Sequence, residues 1–342
     1  MLRRIAGDLF WTARYLERAE WRARLVDVNY HLVLEVPPSD SEPWEPLLRI
    51  TGESDLFRAS YAHANEESVL NFFTLDRSNP SSIWSCIYVA RSNIGPLRHR
   101  VSSELWFELN SLYLDMQNWS PRTIIETGVF KFFAELRNRF YCLHGIADST
   151  LSRDHAFELI QVGTMLERAD NVARLVDVKY HYLLPRLEDM GGHADLRQWA
   201  AVLRSASALE VYRRAFGAIK IEKVVEMLLF DPLFPRSVRF CADRMTSSLK
   251  NLGAAQADAR PISQMLASDT LLGLLAAHDA ASVIAEGLHE FLLRVEHECA
   301  VIGSRYRIMS TACQLPSARP PGSRSIPTAM NLWWTQESLL IS

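Results

Sequence analysis

Apolar positions along the chain recur at three- and four-residue steps, the period of an amphipathic helix. No run alternates apolar and polar residues as a half-buried strand does. The pattern predicts a first long helix from Ile5 to Glu35, ended by Pro37-Pro38. Helical character resumes over 44–75. The stretch "DRSNPSSIW" then predicts a helix start, with Asn79 as cap and Pro80 at the first helical position. Ile83, Cys86, Ile87 and Ala90 mark one apolar face as far as Gly95-Pro96. A helix is expected over 98–116 and another after "NWSPR", where Phe130, Phe133, Leu136, Phe140 and Leu143 form a broad stripe. In the second half, helices are expected at 154–184, 195–214, 218–229, 235–252 and 263–309. The fold class is all-α.

One charged stretch occurs twice. "LERAEWRARLVDVNYH" at 16–31 returns as "LERADNVARLVDVKYH" at 166–181. Between 15–31 and 165–181, 12 of 17 positions are identical, where chance would leave about one. Farther on the offset becomes 155, pairing Glu67 with Glu222, Asp76 with Asp231, Pro80 with Pro235, Ser82 with Ser237 and Cys86 with Cys241. An insertion in "RLEDMGGHADLRQ" accounts for the change. This predicts an internally duplicated helical bundle, with residues 1–149 and 150–310 as two repeats of one domain. The two long motif helices should pack near a pseudo-two-fold axis. Residues 311–342 are rich in Pro, Ser, Gly and Arg and are expected to be disordered.

Helical spacing puts Glu17, Glu20, Arg24, Asp27 and His31 on one side of the first motif helix, beside an apolar stripe of Leu16, Ala19, Ala23, Val26 and Tyr30. Glu167, Asp170, Arg174, Asp177 and His181 repeat the charges, beside Leu166, Ala169, Ala173, Val176 and Tyr180. A solvated face should drift between copies, as Trp21/Asn171 and Arg22/Val172 have. The stripe instead keeps its charge sign at every position. That favours a buried or cleft-lining ionic network, because charges removed from water need fixed partners.

Two chemical readings compete with a purely architectural one. Arginines could grip a carboxylate or phosphate while Glu17 or Glu167 moves protons. Alternatively, helix bundles bind metals through glutamates and Glu-x-x-His pairs. The chain has one such pair, Glu286 and His289, and the arginines of the stripe would repel a cation. No metal or other cofactor is therefore expected. The sequence has no Gly-rich phosphate loop, no Gly-x-Ser-x-Gly and no His-Glu-x-x-His.

Composition narrows the picture further. Of the 342 residues, 48% are hydrophobic and 23% charged, with 37 basic against 40 acidic and a net charge of -3. This offers no broad basic field, so nucleic acid is not an expected partner. Arg91, Arg98, His99 and Arg100 read as a solvated helix face. The five cysteines are scattered, without zinc or redox spacing, as suits reduced thiols in a cytoplasm. The opening residues lack the apolar core of a signal peptide. The most apolar stretch, 271–288, carries His278, Asp279 and Glu286 and reads as a core helix, so no membrane association is expected.

At "LFWTARYLERAEWRARLVDV" the chain resembles the alpha-E domain family, bacterial all-helical proteins named for a Glu-Arg motif. The resemblance continues through "NPSSIWSCIYVARSNIGPLRHRVSSELWFELNSLYL" and "LSRDHAFELIQVGTMLERADNVARLVDV", covering residues 1–308. It implies Glu17, Arg18, Glu20, Arg24 and Asp27, with Glu167, Arg168, Asp170, Arg174 and Asp177, as candidate catalytic residues. Arg91, Asn93, Arg98, Glu104, Trp106 and Asn110 become candidate ligand-binding residues, beside the family's Ser103. Thr164 departs from the family, which has Arg there as Arg14 stands in the first copy. The family implies association with circularly permuted ATP-grasp ligases and transglutaminase-like proteins. On that footing the chain is expected to be an accessory or substrate-presenting subunit of a cytoplasmic ATP-dependent peptide-ligation or modification system. The alternatives are an enzyme using the duplicated Glu/Arg/Asp stripe and a carboxylate metal protein. Oligomeric state is not legible.

Overall fold

Two long helices, α1 (Arg3–Glu35) and α9 (His155–His181), form the centre of the molecule and pack on each other. The structure is a computed structural model and describes residues 3–35, 44–181, 192–254 and 269–309. The tail at 311–342 lies outside these residues, as do the side chains of Tyr180 and His181. Among the described residues every regular element is helical.

α1 is buried on nearly all sides: Leu9, Phe10, Ala19, Ala23 and Val26 are inaccessible, and so are Arg14, Glu17, Glu20 and Arg22. A helix buried all round belongs at the centre of a bundle. Small residues let α9 come close. Gly163 faces the Phe10 carbonyl and Ala13. Pairings advance together along both helices, from Gly163 beside Phe10 to Arg168 beside Glu17, so the two run in the same sense.

The remaining helices surround this pair. The first half supplies α2 (Glu45–Ile50), α3 (Ser54–Ser60), α4 (Glu66–Thr74), α5 (Ile83–Ile94), α6 (Ser103–Met116), α7 (Pro121–Thr127) and α8 (Val129–Thr150). The second supplies α10 (His193–Ser205), α11 (Leu209–Phe216), α12 (Ile221–Val225), α13 (Val238–Ala254), α14 (Asp269–Ala276), α15 (Ala280–Glu286) and α16 (Leu288–Met309). α1 packs on α5 and α8, and α9 packs on α13 and α16. One continuous apolar core draws on both halves. No described helix is long and apolar enough to cross a membrane.

Several expected helices are interrupted. The 44–75 stretch is three helices, not one. Ser82 caps α5, accepting from Ser85 N at 3.1 Å, whereas Asn79 closes a turn by accepting from Ser81 N at 2.9 Å. A 3-10 turn at Gly95–Arg100 precedes α6. α10 and α11 part at Ser207, whose φ is 54°, and a π-turn at Glu226–Phe230 follows α12. Of the expected 263–309 element, which contains the apolar stretch, 263–268 lie outside the described residues and 269–309 form α14, α15 and α16. It breaks at the Asp279 cap and at Gly287 with φ 122°. Gly128, φ 101°, divides α7 from α8 in the same way. Apolar periodicity reports which face is buried and continues through such breaks; the caps and positive-φ glycines decide where each helix stops.

Candidate functional site

The Glu-Arg pairs meet at the α1–α9 interface and cross over. Arg168 holds Glu17 with both edges, Nε to Oε1 at 2.9 Å and Nη2 to Oε2 at 2.8 Å. Arg18 holds Glu167 in return, Nε to Oε1 at 2.5 Å and Nη2 to Oε2 at 3.0 Å. Two-edged guanidinium–carboxylate contact is the strongest geometry available to such a pair. Each carboxylate also takes a second arginine. Glu167 receives Arg14 Nε at 2.6 Å, and Glu17 receives Arg236 Nη1 at 3.0 Å. Thr164 stands in α9 where Arg14 stands in α1, and Arg236 falls opposite Ser81 at the 155-residue offset. The second guanidinium thus reaches Glu17 from a different place in the chain.

Below Glu17 the network continues. Glu20 accepts from Arg24, from Arg236 Nη2 at 2.6 Å and contacts His144 Nε2 at 3.0 Å. Arg24 also donates to Ser207 Oγ and, at 3.1 Å, to the Tyr141 hydroxyl. Asp27 pairs with Arg137, while His31 stands 3.8 Å from it. On α9, Arg174 lies 3.2 Å from Asp170 and 2.9 Å from Glu296, and Asp177 meets His289 at 2.6 Å. Arg22–Glu53 and Lys179–Asp195, both at 2.8 Å, complete the buried charge pairs of these helices.

Glu17 is fully buried and Glu167 is 1% exposed. Burial alone would raise their pKa values. Arg168, with Arg236 behind it, overrides this at Glu17 and holds it below the ordinary carboxylate range. Arg18 and Arg14 do the same for Glu167, lowering it to about 2. At Glu20 burial is outweighed by Arg236, His144 and Arg24, leaving the carboxyl well below its usual value. All three are ionised across the physiological range. The arrangement braces two helices electrostatically.

One edge of the network reaches the surface. The His144 side chain is 34% exposed, with Nε2 3.0 Å from Glu20 and 3.6 Å from Glu17. One ligand-type atom from each of these three residues lies within 4.8 Å of the others. Arg24, Arg168 and Arg236 crowd the same carboxylates, a charge balance that suits an anion better than a cation.

The middle-segment residues form a separate surface. Arg91 Nε donates to Asn110 Oδ1 at 2.7 Å, and its guanidinium lies 4.6 Å from the Tyr113 ring centre and 5.6 Å from that of Trp106. Arg98 covers the Trp106 ring at 5.3 Å. Glu104 is exposed beside Ser103, and Asn93 is half-buried with no hydrogen-bond partner for Nδ2 among the described residues. Glu286 and His289 have different partners, the former 3.6 Å from His278 and the latter on Asp177. A groove of about 410 Å³ between α6, α7 and α8 is lined by Leu112, Met116, Trp119, Phe132 and Leu136, with Arg139 at its rim. None of the motif residues lines it.

Sequence spacing did not point to His144, Arg236, Arg137, Glu53 or Glu296. The one available signal was the paired departure of Thr164 and Arg236. The positions that differ between the two stretches are interior as well: Trp21, Arg22, Asn171 and Val172 are all buried. Arg22 is held by Glu53, and at the 155-residue offset Glu53 falls opposite Ala208.

A family model described as a predicted alpha-helical domain with a conserved ER motif matches residues 1–306. The chain is similar to an uncharacterized protein of Mycobacterium bovis and to two uncharacterized proteins of Mycobacterium tuberculosis. Each is 24% identical over 303 residues, covering 83% of this chain. The chain spans about a third of the length of these curated relatives, 34% in each case. No solved structure matches it.

Proposed function

The chain belongs to the Alpha-E family, and from that premise we propose that it is a cytoplasmic accessory or substrate-presenting subunit. It would act beside an ATP-grasp-type ligase in a peptide-ligation or modification system, with a transglutaminase-like protein as a further partner. The observation that carries this reading is the reciprocal burial of Glu17 on Arg168 and Glu167 on Arg18. These motif residues neutralise one another inside the helix pair, so their role is to hold a rigid body. The sequence contains no phosphate-binding loop, which is consistent with an ATP-dependent step carried by a partner. In the mycobacterial relatives the matched segment is one part of a longer chain, which supports a unit that works joined to others. The same reading takes the two motif helices as products of an internal duplication, on the strength of their self-match and crossed pairing.

Affinity purification of the full chain from its native host tests this, with metal analysis of the product. Co-purification of an ATP-grasp-type ligase with metal-free chain is the expected result. Turnover of a peptide or amino-acid substrate by the isolated chain, lost in Glu17→Gln, would overturn it.

A second reading has one observation in its favour. His144 stands at the surface with its ring on buried Glu20, a partner that could orient it for acid–base work on an anionic substrate. An activity lost in His144→Ala at unchanged stability would promote it.

A further inference from the structure

We propose that the outer seam between α5 and α6 docks an acidic segment of a partner protein. Helical spacing builds the surface. Trp84, Tyr88 and Arg91 share one face of α5 at steps of four and three, and Trp106, Asn110 and Tyr113 share one face of the adjoining α6. Trp84 and Tyr88 stack with rings nearly parallel, 5.3 Å between centroids and 7° between planes, and Tyr113 lies 6.0 Å from both.

Arginines cover this aromatic row along its length. Arg77 lies over Trp84 at 4.4 Å, Arg91 over Tyr113 at 4.6 Å and Arg98 over Trp106 at 5.3 Å. A guanidinium held over a ring keeps N–H donors that suit a carboxylate; here Arg91 gives Nε to Asn110 Oδ1 and Arg98 gives Nε to the Gly95 carbonyl, which leaves their terminal nitrogens for a ligand. Among the described residues no carboxylate pairs with any of these three arginines, unlike those of the α1–α9 interface. Of the acids nearby, Glu108 is held by Arg139, Asp76 by Tyr61 and Ser78, and exposed Glu104 accepts from Ser103. Exposed His99 and Arg100 extend the positive charge.

The rings rest on the core, but the corresponding helix of the second half packs without such a ladder. α13 packs on α9 as α5 packs on α1. At the 155-residue offset, Trp84, Tyr88 and Arg91 fall opposite Arg239, Asp243 and Thr246. There Arg239 and Asp243 form an ordinary i,i+4 pair at 3.0 Å. The unneutralised arginine–aromatic face belongs to the first half.

The occupant follows from charge. A local positive face on a chain of net charge -3 complements a short carboxylate-rich segment, and the overall negative charge opposes the long phosphate track of a nucleic acid. The inference rests on reading the chain as a protein-binding subunit; it does not depend on the partner being a ligase. Trp84, Tyr88, Trp106 and Tyr113 are half-buried, and aromatic and arginine side chains are the residue types that carry most binding energy at protein interfaces.

Fluorescence anisotropy with the full chain and fluorescein-labelled hexaglutamate at low salt tests it, with labelled oligothymidylate of equal charge in parallel. Saturable peptide binding is expected, weakened about tenfold or more in Arg77→Glu/Arg98→Glu at an unchanged melting temperature. If that variant melts early, Arg77→Gln/Arg98→Gln serves, with a smaller loss in the same direction. Absent peptide binding, or binding equal in both variants, overturns the proposal. So does oligothymidylate binding more tightly and being lost in the same variant. A ligase missing from the host purification would leave this surface standing, and failure of the peptide would leave the ligase reading standing.

Discussion

Gly163 lies so near Phe10 that a Cβ at position 163 would sit 2.4 Å from the Phe10 carbonyl oxygen. Neither backbone can yield without moving a long helix. Gly163→Ala is therefore expected to lower stability by about 1–3 kcal/mol, the usual range for overpacking. Urea denaturation followed by circular dichroism measures it. A stability equal to the parent would mean that α1 and α9 sit farther apart.

Removing one partner of the crossed pairs should be costly. Arg18→Ala leaves Glu167 buried with Arg14 alone, and a loss of about 3–5 kcal/mol is expected for a dry site. Arg24→Ala belongs in the same range, since the Arg24 side chain is 6% exposed. Arg174→Ala should cost less, its side chain being 22% exposed. Melts of all three indistinguishable from the parent would place the stripe in water.

Acid should unfold the protein through the same carboxylates. Glu167 is held at about 2 against an ordinary 4.5, and Glu17 and Glu20 are also lowered. A depressed carboxylate contributes stability that is fully present above its unfolded value and is lost as the pH falls toward its folded one. Stability should thus decline between about pH 4.5 and pH 2, and Glu167→Gln should flatten that decline. Denaturation midpoints across this range test it; a midpoint constant down to pH 2 would contradict the ionised, paired state.

Thiol reactivity offers an independent check on the packing. Burial pushes Cys86 to about 11 and Cys241 to about 12, and raises Cys299 well above its usual value, whereas Cys142 is exposed. Iodoacetamide at neutral pH should label Cys142 in the native protein and reach Cys86, Cys241 and Cys299 only after unfolding. Peptide mapping by mass spectrometry distinguishes the sites. Native labelling of Cys241 would show that the α9–α13 packing opens.

Much of this was legible from spacing. Glu17, Glu20, Arg24 and Asp27 share a helix side, and their repetition with unchanged sign pointed to charges removed from water, as found. The partners were less legible. Arg236 and His144 reach Glu20 across 216 and 124 residues, and a contact between distant elements leaves no periodic trace. Helix ends were missed for a related reason. Ser82, Asp279 and Gly287 act through local backbone geometry, which apolar spacing does not register. The Arg91–Trp106 seam was visible as a set of residue types, but the stacking of guanidinium on ring requires α5 and α6 to be brought together.

The crossed Glu-Arg pairs also bear on how the chain is made. Arg168 is translated 151 residues after Glu17, the separation their bond spans. At ribosomal speeds of about 5–20 residues per second, α1 is complete roughly 10–30 s before its counter-charges exist. Through that interval Glu17, Arg14 and Arg18 lack their partners on α9, and burying them unpaired is costly, which opposes a dry interior around α1 in the first half alone. Synthesis of α9 supplies Arg168 and Glu167, and Arg236 follows later to complete Glu17 and Glu20, so a chain interrupted before α9 should be held open by its own unmatched charges.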